Sequence, residues 1–364
     1  MKISFADSFV IELKNVPENI KVFLENEIRE HIDYDDGLPY NMLIDFTNQI
    51  NYNGEIKLIN STSPFIGFNE NSFYLIYNDK RVEIPNYQKK GKIIVEKGFD
   101  PKIFFDLLEF LYMRKILENG MTFLHSSGIT VNNKTVLFPG YAGTGKTLLM
   151  IQMLKHYNAE FIGDDWTIIS EQGNVYPYYK KVNIGWKHIM EHKDALKRYY
   201  PIIIPRLIPK GDGGKFDSNN KLLKIFRYIY QVYFMRNSPA YIGPREIGNG
   251  NILGYSNSKQ INYVIFISRS SLEKLSYELI SADMLVENMV CVTSFENTVK
   301  PDYDNFAIFA HHYSHELREQ QIKKQTSIMY SCFKKTKNFW LEIPVNAPSR
   351  EICDFLMNKV LNDI

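Results

Sequence analysis

The stretch "FPGYAGTGKT", Phe138 to Thr147, and the pair Asp164-Asp165 in "FIGDDW" are the residues of this chain with the plainest chemical use. Gly140-x-x-x-x-Gly145-Lys146-Thr147 matches G-x-x-x-x-G-K-[ST] in full, and Gly143 adds a further glycine. The pattern wants glycine because backbone N–H groups must turn inward around phosphate oxygens, where a Cβ would stand in the way. On this reading Gly140, Tyr141, Ala142, Gly143, Thr144 and Gly145 cradle the phosphates of a nucleotide. Lys146 reaches the β and γ groups, and the Thr147 hydroxyl ligates Mg²⁺. The loop follows the apolar run Val136-Leu137-Phe138 and opens "TLLMIQMLKHY", so a strand, loop and helix are expected in that order, with the helix N-terminus adding its partial positive charge.

Asp164 stands eighteen residues after Lys146. That leaves room for about three helical turns, a tight turn at Asn158-Ala159 and one short strand, "EFIG". The spacing predicts two neighbouring strands, with both carboxylates beyond the end of the second and facing the γ-phosphate. One carboxylate suffices for the metal. The other can accept a proton from an attacking hydroxyl or position it. The expected order is Asp164 as that base and Asp165 as the Mg²⁺ ligand beside Thr147.

The elements that hold these residues follow from periodicity. Residues 1–95 alternate short apolar and β-branched runs with Asn, Gly, Pro and Asp, which predicts a β-rich N-terminal unit. Asp100-Pro101 opens a helix with Phe104, Leu107, Leu108 and Leu111 on one face, and Gly120 marks its stop. "SSGITV" and "TVLFP" flank Asn132-Asn133-Lys134, so the chain reaches the glycine loop as the second arm of a hairpin. Residues 96–364 are expected to form one α/β domain around the phosphate loop, with an irregular 185–260 segment in which only "KLLKIFRYIYQVYF" looks helical. Beyond it come a strand at "INYVIFIS", a helix from about Ser281, a strand at "FWLEIPV" and a last helix from Ser349.

Composition narrows the partners. Forty-three basic and 41 acidic side chains leave a net charge of +2, too little for an electrostatic footprint on nucleic acid. The N-terminal "MKISFADSFV" carries Asp7 where an export signal needs an apolar run, and "IFFDLLEFLYM" carries Asp106 and Glu109, so neither export nor a membrane span is expected. Cys291, Cys332 and Cys353 are far apart, as reduced thiols of a cytoplasmic protein would be.

The order "LHSSGITVNNKTVLFPGYAGTGKTLL", one helix, then "FIGDDWTII" resembles the core of the HPr kinase/phosphorylase family and its relatives in peptide-modifying gene clusters, whose nucleotide fold is related to phosphoenolpyruvate carboxykinase. The match covers residues 121 to about 170. The resemblance implies ATP-dependent phosphorylation of a hydroxyl, a serine of a peptide or protein, with Lys146, Thr147, Asp164 and Asp165 on matching positions. It also places His125, fifteen residues before Gly140, near the catalytic centre. The family's Glu-x-Arg-Gly stretch has no counterpart; "KVNIGWKHIMEHKD" stands there, so HPr and phosphorylase activity are not expected, and Glu171 and Glu191 are the candidate replacement acids. Two other readings keep the phosphate loop: a kinase or carboxykinase-like enzyme for a small molecule, and a nucleotide-dependent switch without a phosphoacceptor.

Other constellations weigh less. His311, His312 and His315 lack a metal-site motif and read as a polar face. Arg245 and Lys215 sit in glycine-containing loops from which a γ-phosphate is within reach. The lysine clusters at 180–181, 323–324 and 334–337 have the charge to meet an acidic peptide but read as solvated surface, and Trp166 reads as core.

Overall fold

The computed structural model describes residues 1–6, 9–33, 39–51, 55–85, 92–185, 197, 239–254, 257–271, 273–298, 303–314 and 318–361. The helix expected over "KLLKIFRYIYQVYF", Lys215, Glu191 and His315 lie outside the described residues.

The N-terminal residues build a mixed sheet from β1 (Lys2–Phe5), β2 (Phe9–Lys14), β3 (Ile32–Asp33), β4 (Met42–Thr47), β5 (Lys57–Leu58), β6 (Phe65–Phe68), β7 (Ser72–Tyr77), β8 (Lys80–Pro85) and β9 (Ile93–Glu96). Their order is β3-β1-β2-β4-β9-β8-β7-β6-β5, and β4 runs parallel to both its neighbours. The β7–β8 hairpin closes through Asn78-Asp79, both at positive φ (47° and 61°), which asparagine and aspartate tolerate better than most residues. Helices α1 (Glu18–Ile28) and α2 (Pro101–Lys115) cover this sheet.

In α2 the Asp100 side chain accepts from Lys102 N–H (2.9 Å) and Ile103 N–H (3.0 Å), and Pro101 takes the first turn, where no N–H is missed. This helix is buried nearly all round. Phe104, Leu107, Leu108 and Leu111 share one core with Ile44 and Val95 of the N-terminal sheet and with Phe123, Trp166 and Tyr178 beyond it. It is the wedge between the two halves of the molecule, and removing one such leucine side chain costs about 2–5 kcal/mol.

The second half contains a mixed six-stranded sheet and a smaller four-stranded one. The smaller sheet orders β10 (Met121–Leu124), β14 (Thr167–Ser170), β15 (Asn174–Tyr176) and β18 (Lys259–Gln260). The larger contains β11 (Ser126–Val131), β12 (Lys134–Pro139), β13 (Glu160–Gly163), β19 (Tyr263–Ser270), β20 (Ser276–Leu279) and β21 (Lys337–Pro344), in the order β13-β11-β12-β19-β21-β20. A two-stranded ribbon pairs β16 (Val182–Gly185) with β17 (Pro239–Ile242), so part of the segment expected to be irregular is regular. The β11–β12 turn is Asn132-Asn133, with φ of 49° and 61°.

One expectation is corrected here. The strand before the glycine loop and the strand before the acids are not neighbours, because β11 lies between β12 and β13 and pairs antiparallel with both. The hairpin places β11 on that edge of β12 before β13 can pair there. Two antiparallel steps restore a common direction, so the glycine loop and the acids still leave the sheet at the same end.

Helices α3 (Lys146–His156) and α7 (Ser349–Phe355) cover one face of the large sheet. Its other face is covered by α4 (Ala282–Thr298) and α6 (Arg318–Phe333), through Met289, Val292, Met329 and Phe333. Helix α5 (Tyr303–Ser314), which contains His311 and His312, returns to the N-terminal sheet, where Phe306 and Phe309 join its core. No helix among the described residues is long and apolar enough to cross a membrane.

Candidate active site

Two strands change sheets side by side, and the site lies where they do so. The chain leaves the small sheet at Leu124, passes His125 and enters the large sheet at Ser126; on the return path it leaves the large sheet at Gly163 and re-enters the small one at Thr167. His125 and the segment Asp164-Asp165-Trp166 are therefore adjacent crossings. Ser126 Oγ and Thr167 Oγ1, 2.7 Å apart and buried, hold the crossings together. Trp166 is core, packed edge-on to Phe123 and 5.3 Å from the His125 ring.

The two acids have different surroundings. Asp164 is half-buried and accepts from Ser127 Oγ (2.5 Å) and from Thr147 Oγ1 (3.1 and 3.0 Å to its two oxygens). Burial pushes its carboxyl above the ordinary range; the charge of Asp165 adds to this, while Ser127, Thr147 and Lys146 oppose it. Asp165 sits at φ +69°, a left-handed conformation uncommon for a side chain with a Cβ. Its side chain is 66% exposed, and its Oδ1 lies 3.1 Å from Nε2 of the buried His125.

The glycine loop faces these acids. Gly140 (φ +154°), Gly143 (+80°) and Gly145 (+99°) adopt backbone shapes that disfavour other residues. A Cβ on Gly140 would stand 2.6 Å from the Ile267 carbonyl oxygen, and one on Gly145 would stand 2.7 Å from Arg269 Nη2. The Thr144 hydroxyl donates to Tyr141 O (2.9 Å), while the Tyr141 side chain is exposed and Ala142 borders the cleft. Lys146, the first residue of α3, is buried and donates to the carbonyls of Gly140 (2.8 Å) and Tyr141 (2.9 Å).

A cleft of about 640 Å³ joins these groups: Lys146, Thr147, Asp164, Asp165 and His125 line one side, and the N-terminal helices close the other with Phe23, Phe105 and Asp106. The arrangement can hold an anion at the start of α3, a hard cation between a hydroxyl and a carboxylate, and a proton at a carboxylate backed by an imidazole.

Sequence reasoning missed three neighbours. Ser127 lies two residues after His125, at the start of β11, and "HSS" was readable as a polar stretch beside the site. Arg269 is the last residue but one of β19, the parallel neighbour of β12; its Nε donates to Thr144 O (2.9 Å) and its Nη1 to Pro344 O (3.1 Å), and burial draws its pKa below the ordinary guanidinium value. Lys180 is the third.

Two secondary candidates are corrected. Arg245 is engaged by Glu30 through two hydrogen bonds of 2.7 Å, an exposed pairing with the turn that follows α1 rather than with the glycine loop. Glu171 follows β14 whereas the acids precede it, which puts it about 20 Å of strand from Asp165.

No protein-family model matches the chain, and no curated protein matches its sequence. Among solved structures the fold is similar to the HPr(Ser) kinase/phosphatase from Coxiella burnetii, at 9% identity and a TM-score of 0.30, over 66% of this chain and 97% of that one.

Proposed function

We propose that this chain is a Mg²⁺- and ATP-dependent kinase that transfers the γ-phosphoryl group to a hydroxyl, with a serine of a peptide or protein as the acceptor. The observation that carries the reading is the division of labour between the acids: Asp164 shares the hydroxyl of Thr147, and Asp165 turns to His125. Thr147 and Asp164 are hard oxygen donors side by side, the donor chemistry Mg²⁺ takes from proteins when phosphates and water complete its shell. The contacts favour the reverse of the order expected from spacing, with Asp164 as metal ligand and Asp165 as base. Bound there, Mg²⁺ would neutralise charge on the β- and γ-phosphates.

The remaining steps belong to the chain's own residues. The glycine loop and the N-terminus of α3 bind the phosphates, and Lys146 exchanges its two carbonyl contacts for phosphate oxygens. Ser127 and Thr147 keep Asp164 oriented. As the acceptor oxygen forms its bond to the γ-phosphorus, its proton passes to Asp165 Oδ, and the bond to the bridging oxygen breaks with its electron pair leaving on ADP. His125 holds Asp165 in place and stabilises its charge before transfer.

Thermal unfolding with and without Mg²⁺-ATP tests the binding half. At about 100 times its dissociation constant the nucleotide should add about 2.7 kcal/mol to stability, and Lys146→Ala should remove most of that gain. Transfer of labelled γ-phosphate to serine-containing peptides tests the chemical half. Absence of any nucleotide effect on the natural chain would overturn the proposal.

A further inference from the structure

Lys180 lies in the same cleft as Lys146, Asp164 and Asp165. An isolated parallel bridge joins Gly163 to Tyr178, which brings the segments that carry Asp165 and Lys180 side by side, near enough for the Asp165 charge to act on Lys180. The ammonium of Lys180 donates to Glu109 Oε1 (2.9 Å) and sits 5.2 Å from the centre of the Phe105 ring.

Two further lysines, Lys102 and Lys181, line this cleft, and their charge is answered by carboxylates within it. Lys102 pairs with Asp106 (2.7 Å) and Lys181 with Glu27 (3.4 Å), and both of those carboxylates are cleft-lining residues. Lys180 differs. Its partner Glu109 is on α2, is 5% exposed, does not line the cleft and is also bonded by Tyr178 Oη (2.5 Å). The negative charge of this pair is behind the wall and the positive charge is at its surface. Burial alone would favour the neutral amine, but Glu109, with help from Asp165 and Asp106, holds Lys180 above the usual lysine value, so it stays cationic. An ammonium has three donors, and Glu109 takes one of them.

We infer that Lys180, held from behind by Glu109, is a second cationic contact for the phosphoryl group in transfer, on the acceptor side opposite Lys146. This rests on the phosphotransferase reading above. Negative charge on the equatorial oxygens of that group has to be met from more than one direction, and a cation fixed in a partly dry wall needs no reorganisation to meet it. Helix α2 thereby takes part in the site, and the N-terminal half of the molecule becomes a working component of it.

The test uses Mg²⁺-ADP, alone and with fluoroaluminate as the mimic of the transferring group, on the whole chain and its Lys180→Met, Lys180→Arg and Lys180→Met/Glu109→Gln variants. The natural chain should bind Mg²⁺-ADP more tightly when fluoroaluminate is present. Lys180→Met should lose about 10²-fold of that tightening, as expected for removal of one donor to developing charge, while keeping its affinity for Mg²⁺-ADP alone. Lys180→Arg should recover much of it. The double variant, which leaves no buried carboxylate without its cation, should bind Mg²⁺-ADP normally and still lack the tightening. Equal tightening in the natural chain and Lys180→Met, or none in a natural chain that binds Mg²⁺-ADP, would overturn the role of Lys180 and leave nucleotide binding intact. Failure of the natural chain to bind Mg²⁺-ADP would overturn both.

Discussion

Thr147 donates its hydroxyl to both carboxylate oxygens of Asp164, at 3.1 and 3.0 Å, although Asp165 is the next residue along. The left-handed turn at Asp165 sends the two carboxylates different ways, one toward the start of α3 and the other to His125. Two adjacent acids thus acquire different partners from one backbone feature.

The glycine loop should be sensitive to methyl groups by position. Ala at 140 must push against the Ile267 carbonyl at 2.6 Å, a backbone atom of the adjacent strand, whereas nothing stands within 4 Å of a Cβ at 143. Gly143→Ala then costs only its left-handed backbone, about 1–2 kcal/mol. Gly140→Ala should cost distinctly more, and urea unfolding of both variants compares them directly. Equal losses would mean that the packing of the loop on β19 is not as described.

Acid should weaken the junction between the two halves through His31. Its Nδ1 donates to Ser4 O (3.2 Å), and its Nε2 accepts from Tyr179 N–H (2.7 Å), so the folded state uses the neutral ring. Burial lowers its pKa from 6.5 to about 3. Because the unfolded chain binds this proton and the folded chain does not, the contribution is complete above pH 6.5 and is lost as the pH falls toward 3. The slope is about 1.4 kcal/mol per pH unit well inside that window. Denaturant titrations between pH 7 and 4.5 should show the slope reduced by one proton in His31→Gln; an unchanged slope would contradict the assignment.

Thiol labelling should separate the cysteines. Cys291 is exposed, while burial raises the Cys332 thiol to about 12 and pushes Cys353 up as well. A thiolate-selective reagent at pH 8 should modify one thiol of the native chain rapidly and the other two only on unfolding. Cys291→Ser should abolish the rapid phase.

Local features of the fold were legible in the sequence because local chemistry sets them. Asn132-Asn133 made the hairpin and Asp100-Pro101 started α2, each at the residue its type predicts, and α3 starts at Lys146, one residue before the "TLLMIQMLKHY" run read as helix. The order of strands was not legible. The placement of β11 between β12 and β13 depends on pairing across the sheet, and no count of residues between Lys146 and Asp164 contains it. The same holds for α5, whose Phe306 and Phe309 find their core on a sheet more than 200 residues earlier. At the site, the residue types were readable but their partners were not. Spacing could not say which acid meets Thr147, and "YYKKV" looked like solvated charge until Glu109, from another helix, stood behind Lys180.

The most direct measurement is Mg²⁺-ATP affinity and turnover side by side for Asp164→Asn and Asp165→Asn. Asp165→Asn should bind Mg²⁺-ATP nearly as the natural chain does but turn over about 10²- to 10⁴-fold more slowly. Asp164→Asn should lose the Mg²⁺-dependent part of nucleotide affinity itself. The opposite pattern, with affinity lost at 165 and only turnover lost at 164, would contradict the division of labour between Thr147–Asp164 and His125–Asp165.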